Sequence, residues 1–208
     1  TTTSSSDYGF GDIAWSLDGR YVTYGFYDGR DIAQIAIYDT KTHTRTVMTS
    51  GKYESFAPVL SNDNAWLYFL SNRNFEASPG SPWGDRKMGT AFNERAQLFA
   101  LQLDPDTAFP FEPEDELSRA ESDDAKDGDE DEAEKDEDEA DETPAINLDG
   151  ASSRLWQVPV RAGDFTGLAA TESHLYIYEG GSGDLGYTSA GGNSLQRREI
   201  TSDRPEAE

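Results

Sequence analysis

The sequence predicts an all-β chain built from repeated four-stranded units, and three observations carry that prediction. The stretch Ser16-Leu-Asp-Gly-Arg-Tyr-Val-Thr-Tyr24 returns about 45 residues later as Ser61-Asn-Asp-Asn-Ala-Trp-Leu-Tyr-Phe69, a period typical of sheet repeats rather than of a compact catalytic domain. Strand formers such as Tyr21, Val22, Thr23 and Tyr24 stand between Asp-Gly turns, the pattern of short antiparallel hairpins. Four such strands fit into about 40 residues, which is the size of one blade of a β-propeller.

The first blade spans 10–49. Residues 10–16 read as a strand carrying Trp15, Leu17-Asp-Gly19 turns, 20–26 follows, Asp28-Gly29 turns again, 32–38 makes a third strand and 44–49 a polar fourth. A second blade spans 51–160, with its turn at Asn62-Asp-Asn64, a central strand Trp66-Leu-Tyr-Phe-Leu70 and a third strand over 96–103. Arg154-Leu-Trp-Gln-Val-Pro-Val160 supplies its outer strand. Two interruptions lie inside it: a Pro-, Gly- and Ser-rich loop at 74–95 and an acidic low-complexity insert at 104–144, read as disordered.

Gly163-Asp-Phe-Thr-Gly-Leu-Ala-Ala170 and His174-Leu-Tyr-Ile-Tyr178 restart the pattern as an incomplete blade over 163–208. Along these strands Trp15, Tyr24, Trp66, Tyr68, Phe69, Tyr176 and Tyr178 alternate as core residues do. The chain is thus expected to be a partial β-propeller of about two and a half to three blades. Closed propellers need roughly four to eight, so it is expected to be a segment of a larger protein, poorly stable or self-associating in isolation.

Charge divides unevenly. The chain carries a formal net charge of −24, but residues 112–142 hold 19 acidic and 3 basic side chains. No stripe of Lys or Arg exists to hold a phosphate backbone, which argues against nucleic acid as a partner. With no Cys, disulfides and thiolate metal sites are excluded, and the compartment is left open between cytoplasm and periplasm. No apolar run approaches the roughly 18 residues of a membrane span.

The residues available for chemistry are few. Nucleophilic catalysis needs a Ser, Cys or Thr beside a base; the two histidines, His43 and His174, fall in a turn and at a strand start, and neither Ser182 nor Ser189 sits in a Gly-x-Ser-x-Gly elbow. Aligned to a calcium loop beginning at Asp123, the insert places Gly128 and Glu134 correctly, but it puts Ala125 where an oxygen ligand is required. Asp12, Asp18, Asp63 and Asp164 occupy turns and strand starts, where carboxylates accept backbone N–H bonds. No catalytic, cofactor or metal residue is therefore assigned. Arg73, Trp83, Arg86, Lys87 and Arg95, in and beside the first loop, form a locally basic and aromatic group suited to a peptide carboxylate or a neighbouring domain.

The first repeat is similar to the Ser-Pro-Asp-Gly-Lys-Tyr-Ile-Ala-Tyr motif of TolB-type and tricorn-type propellers, with Leu17 in place of Pro. Further segments follow in order: Tyr68-Phe-Leu-Ser-Asn-Arg-Asn-Phe75, Pro110-Phe-Glu-Pro113 before the charged insert, Ile146-Asn-Leu-Asp-Gly150 and Val158-Pro-Val-Arg-Ala-Gly-Asp-Phe-Thr-Gly-Leu168. Over nearly the whole chain this series resembles the second propeller of the tricorn protease family. The resemblance implies a substrate-access and scaffold region of a homo-oligomeric serine peptidase of the tail-specific class, cytoplasmic or periplasmic, acting on peptides. Its catalytic domain would lie outside this chain. The alternatives are a TolB-type interaction module and the propeller of a prolyl-oligopeptidase-like hydrolase.

Overall fold

The repeated sequence builds the same turn twice. Ser16 Oγ accepts the Tyr21 N–H at 2.8 Å and donates to Asp18, whose Oδ1 accepts the Arg20 N–H at 3.0 Å. Ser61 Oγ accepts the Trp66 N–H at 2.9 Å and donates to Asp63, whose Oδ1 accepts the Ala65 N–H at 3.0 Å. Each turn needs one left-handed residue, supplied by Gly19 at φ 68° and Asn64 at φ 59°, residue types that tolerate that region.

In the computed structural model the described residues are 10–29, 32–77, 92, 94–111, 146–180 and 194–200. They form three antiparallel sheets, none of them closed, which is the architecture of a partial propeller. The first holds β1 (Phe10–Trp15), β2 (Tyr21–Tyr27), β3 (Ala33–Asp39) and β4 (Thr44–Val47) in sequential order. The second holds β5 (Ser55–Leu60), β6 (Trp66–Asn72), β7 (Ala96–Gln102) and β8 (Leu155–Gln157). The third holds β9 (Phe165–Ala170), β10 (His174–Glu179) and β11 (Ser194–Glu199). Apart from a 3-10 turn at Ala151–Ser153 no helix occurs among the described residues, and none is long and apolar enough to cross a membrane. The acidic tract at 112–142 lies outside the described residues.

Alternation along the strands sends apolar side chains to both faces of the second sheet. One face brings Leu60, Leu67, Phe69 and Phe99 against Tyr21, Ile35, Ile37 and Met48 of the first sheet. The other brings Trp66, Tyr68, Leu98 and Val158 against Phe165, Leu175 and Ile177 of the third. Fully burying a side chain of this size contributes about 1.5–3 kcal/mol, so these two seams hold the sheets together.

Two expected core aromatics lie elsewhere. Trp15 is 61% exposed and Tyr178 is 40% exposed. Trp15 pairs with Val22 in the sheet register, on the face turned away from Tyr21 and the second sheet. Tyr178 pairs with Leu195 and Gly167, on the face opposite the buried Leu175 and Ile177. On that outer face of the first sheet, Arg45 lies 3.9 Å over the Phe26 ring.

Candidate functional site

The innermost strands β1, β5 and β9 begin around one cavity of about 490 Å³, lined by Asp12, Glu54, Asn72, Arg95 and Asp164 among others. Its shape follows from irregular backbone. β1 and β5 each carry a register shift, with Asp12 at φ 52° and Ala57 at φ 49°. The bulges turn the Ala57 N–H toward Asp12 Oδ2, which accepts it at 3.0 Å and ties the first sheet to the second. Ala96 and Gly163 exchange two backbone hydrogen bonds at 3.1 and 3.0 Å, joining the second sheet to the third. A Cβ at Gly163 would stand 2.6 Å from the Phe165 ring, so a larger residue there would have to displace that ring.

The carboxylates around this opening already have partners. Asp164 Oδ1 accepts the Glu94 N–H at 2.9 Å, and Glu54 Oε2 accepts from Asn72 Nδ2 at 2.6 Å. Arg161 and Glu94 pair at 3.4 Å on the exposed surface, where such a contact contributes little. Among the described residues no group of three or more acids and histidines is arranged to hold a metal ion. The cavity thus combines hydrogen-bonding groups that already have partners with apolar residues such as Phe56 and Phe165. Ser173 Oγ and His174 Nδ1 do meet at 2.7 Å, but they are neighbours in the β9–β10 turn, which Thr171 closes by bonding to the His174 backbone.

Arg73 occupies a more enclosed place. Its guanidinium stands 4.2 Å over the Phe99 ring and 5.1 Å over that of Tyr53, and Nε donates to Ser71 Oγ at 3.1 Å. Burial lowers its pKa somewhat, with the nearby Tyr53 acting the other way, yet a guanidinium remains charged at any ordinary pH. No carboxylate among the described residues pairs with it. It lines a cavity of about 240 Å³ with Thr49, Ser50 and Ser152. A stacked, half-buried guanidinium beside hydroxyl groups can receive a carboxylate.

The structure thus places two of the five loop residues. Arg73 and Arg95 stand at the same end of the second sheet, where the Asn74 N–H donates to the Arg95 carbonyl at 3.1 Å. Their side chains line different cavities, Arg73 beside Tyr53 and Arg95 at the central aperture. Trp83, Arg86 and Lys87 lie outside the described residues. Sequence reasoning overlooked Glu54 and Asn72 at the aperture, and Tyr53 as the ring beneath Arg73. All three are polar or aromatic residues near strand ends, and only the sheet register brings them to a site.

No family model matches the chain, and no curated protein does. Among solved structures, the crystal structure of the tricorn protease superposes on it with a TM-score of 0.53 at 22% identity, over 81% of this chain. The matched part is 15% of the length of that protease chain. At this identity the likeness shows the fold: the three sheets have the arrangement of a segment of tricorn protease.

Proposed function

We propose that this chain is a substrate-access and scaffold region of a tricorn-like serine peptidase that hydrolyses oligopeptides, with catalysis carried by a part of the protein outside this segment. The observation that carries the reading is the fold match over 81% of the chain, in the family whose ordered sequence segments the chain resembles. Two further features fit it. The cavity at the inner strands, whose carboxylates already have partners, suits passage of a peptide without gripping it, and Arg73 offers a charged, stacked contact for a peptide carboxylate. Peptides are then the ligands, assembly is as a homo-oligomer through the whole protein, and the compartment is the cytoplasm or, in the alternative, the periplasm.

The test compares this chain alone with the full reading frame in hydrolysis of a fluorogenic oligopeptide. Cleavage by the full protein and none by this chain is the expected result. Cleavage by this chain alone, or a full protein without peptidase activity, overturns the proposal.

A further inference from the structure

A second cavity, on the opposite rim, is built unlike the aperture. It measures about 670 Å³ and lies where the β1–β2, β5–β6 and β9–β10 turns converge, beside Pro110 and Ile200. Trp66 and Tyr68 line it; they are 2% and 0% exposed, and among the described residues neither the indole Nε1 nor the phenol oxygen has a hydrogen-bond partner. An indole N–H can only donate, and a buried polar group without a partner is rare and costly in folded proteins. The equivalent residue in the first sheet differs: Tyr21 is not among the buried side chains left without a partner. Two donors two positions apart on β6, beside one cavity, therefore lack an acceptor among the described residues.

The mouth carries the complementary chemistry. Asp18, Asp63 and Glu172 line it, and none of the described residues that line it is basic. Asp18 already uses both oxygens, one on Ser16 and the Arg20 N–H and the other on Asn64 Nδ2 at 3.3 Å. Asp63 commits Oδ1 alone, to Ser61 and the Ala65 N–H. Its charge is close enough to act on Tyr68, whose hydroxyl is held protonated chiefly by burial and further by that carboxylate. Donors inside, carboxylates at the mouth and an apolar wall select a ligand with a carbonyl, a cation a short distance from it, and an apolar side chain.

We infer that this cavity binds an α-ammonium group and its adjacent carbonyl, as found in an amino-acid amide or at the amino terminus of a peptide. Both donor atoms are buried in the free chain, so binding must uncover them: the carbonyl oxygen then accepts from Trp66 Nε1 and the Tyr68 hydroxyl, the ammonium faces Asp63 and Glu172, and the side chain lies over Pro110 and Ile200. The inference stands on this cavity alone and does not depend on the peptidase reading.

Leucinamide is the probe, followed through the Trp indole N–H resonances of the whole chain, with that of Trp66 identified by its loss in Trp66→Phe. Leucinamide is expected to shift the Trp66 resonance, whereas N-acetylleucinamide, without the ammonium, and isoamylamine, without the carbonyl, bind at least about tenfold more weakly. Tyr68→Phe is expected to weaken leucinamide about tenfold while leaving the melting temperature of the free chain unchanged or higher, since the lost hydroxyl had no partner to leave behind. The tripeptide Leu-Gly-Gly separates the two sources: binding equal to leucinamide assigns the site to peptide termini, and weaker binding assigns it to small amides. No shift with leucinamide, equal binding of the acetylated analogue, or a Tyr68→Phe variant that melts lower with unchanged affinity overturns the inference.

Discussion

Positions 45 residues apart occupy equivalent places in the first and second sheets and end in different surroundings. Ser16 and Ser61 make the same hydrogen bonds. Thr23 and Tyr68 are both wholly buried. Yet Trp15 is 61% exposed where its counterpart Leu60 is 6% exposed. The difference comes from neighbours: among the described residues the second sheet has a sheet packed on each face, and the first has one. Repetition in the sequence sets strands, turns and register, while burial is set by what stands beside each sheet.

The largest expected effect tests that division directly. Phe69 is 0% exposed and stacks on Phe99 with ring centroids 5.9 Å apart, so Phe69→Ala is expected to cost about 3–5 kcal/mol. That is a large share of the roughly 5–15 kcal/mol by which domains are stable. Trp15→Ala is expected to change stability by about 0.5 kcal/mol or less. Urea denaturation of the two variants reads the contrast. Equal losses would mean that the outer face of the first sheet is covered in solution, and the comparison would fail.

The bonds between sheets come next. Asp12 Oδ2 accepts the Ala57 N–H across the first seam, and removing it leaves a backbone donor without a partner. Asp12→Ala is expected to lose roughly 1–2 kcal/mol, while Asp12→Asn, whose amide oxygen still accepts, keeps most of it. If both variants lose the same amount, charge rather than the hydrogen bond joins the sheets.

The turn hydroxyls are expected to matter equally. Ser16→Ala and Ser61→Ala each remove one acceptor for a backbone N–H and one donor to an Asp, at about 1 kcal/mol apiece. Thermal melts that separate the two by more than their error would show that the neighbouring sheets, and not the turn itself, decide the cost.

These turns also mark what was legible in the chain. Ser16-x-Asp18 and Ser61-x-Asp63 are local, so their hydrogen bonds can be anticipated from sequence, as can the backbone bonds accepted by Asp18 and Asp63; Asp12 and Asp164 also accept backbone N–H groups, but from Ala57 and Glu94, far away in the chain. The all-β repeat was legible for the same reason. Exposure of Trp15 and Tyr178 was not, because alternation identifies two faces and says nothing about which one meets a neighbour. Nor was the Tyr53–Arg73–Phe99 stack, whose members come from the loop before β5, the end of β6 and the middle of β7. The unpartnered donors of Trp66 and Tyr68 were equally hidden: a strand residue reads as core whether or not its polar atom finds an acceptor.

The smallest expected effect lies at the ends of the central strands, where the two sheets use different chemistry. Tyr21 pairs with Asp39 in the first sheet, and Trp66 pairs with Gln102 in the second. Asp39 is salt-bridged to Arg20 at 3.0 Å. Burial alone would raise its pKa, but the Arg20 guanidinium and the N–H groups of Thr42 and Lys41 outweigh that and lower it from 3.8 to about 2. Gln102 is neutral and donates to the Thr107 carbonyl at 2.7 Å. A carboxylate with a lowered folded pKa contributes stability that is fully present above its unfolded value and is lost as pH falls through the folded one. The first sheet should therefore weaken between pH 3.8 and about 2, by less than about 1 kcal/mol because Arg20 is partly exposed. Asp104 is lowered too, by Thr107 and Asp106, but it bonds within its own turn, so its protonation loosens that turn and not the β6–β7 pairing. Hydrogen exchange is expected to show the Thr40 amide, bonded to the Arg20 carbonyl at 2.9 Å, losing protection in that window while the β6–β7 amides keep theirs. Asp39→Asn should abolish the difference. If both sheets lose protection together, acid acts on the seam between them rather than on the pair at the end of the first.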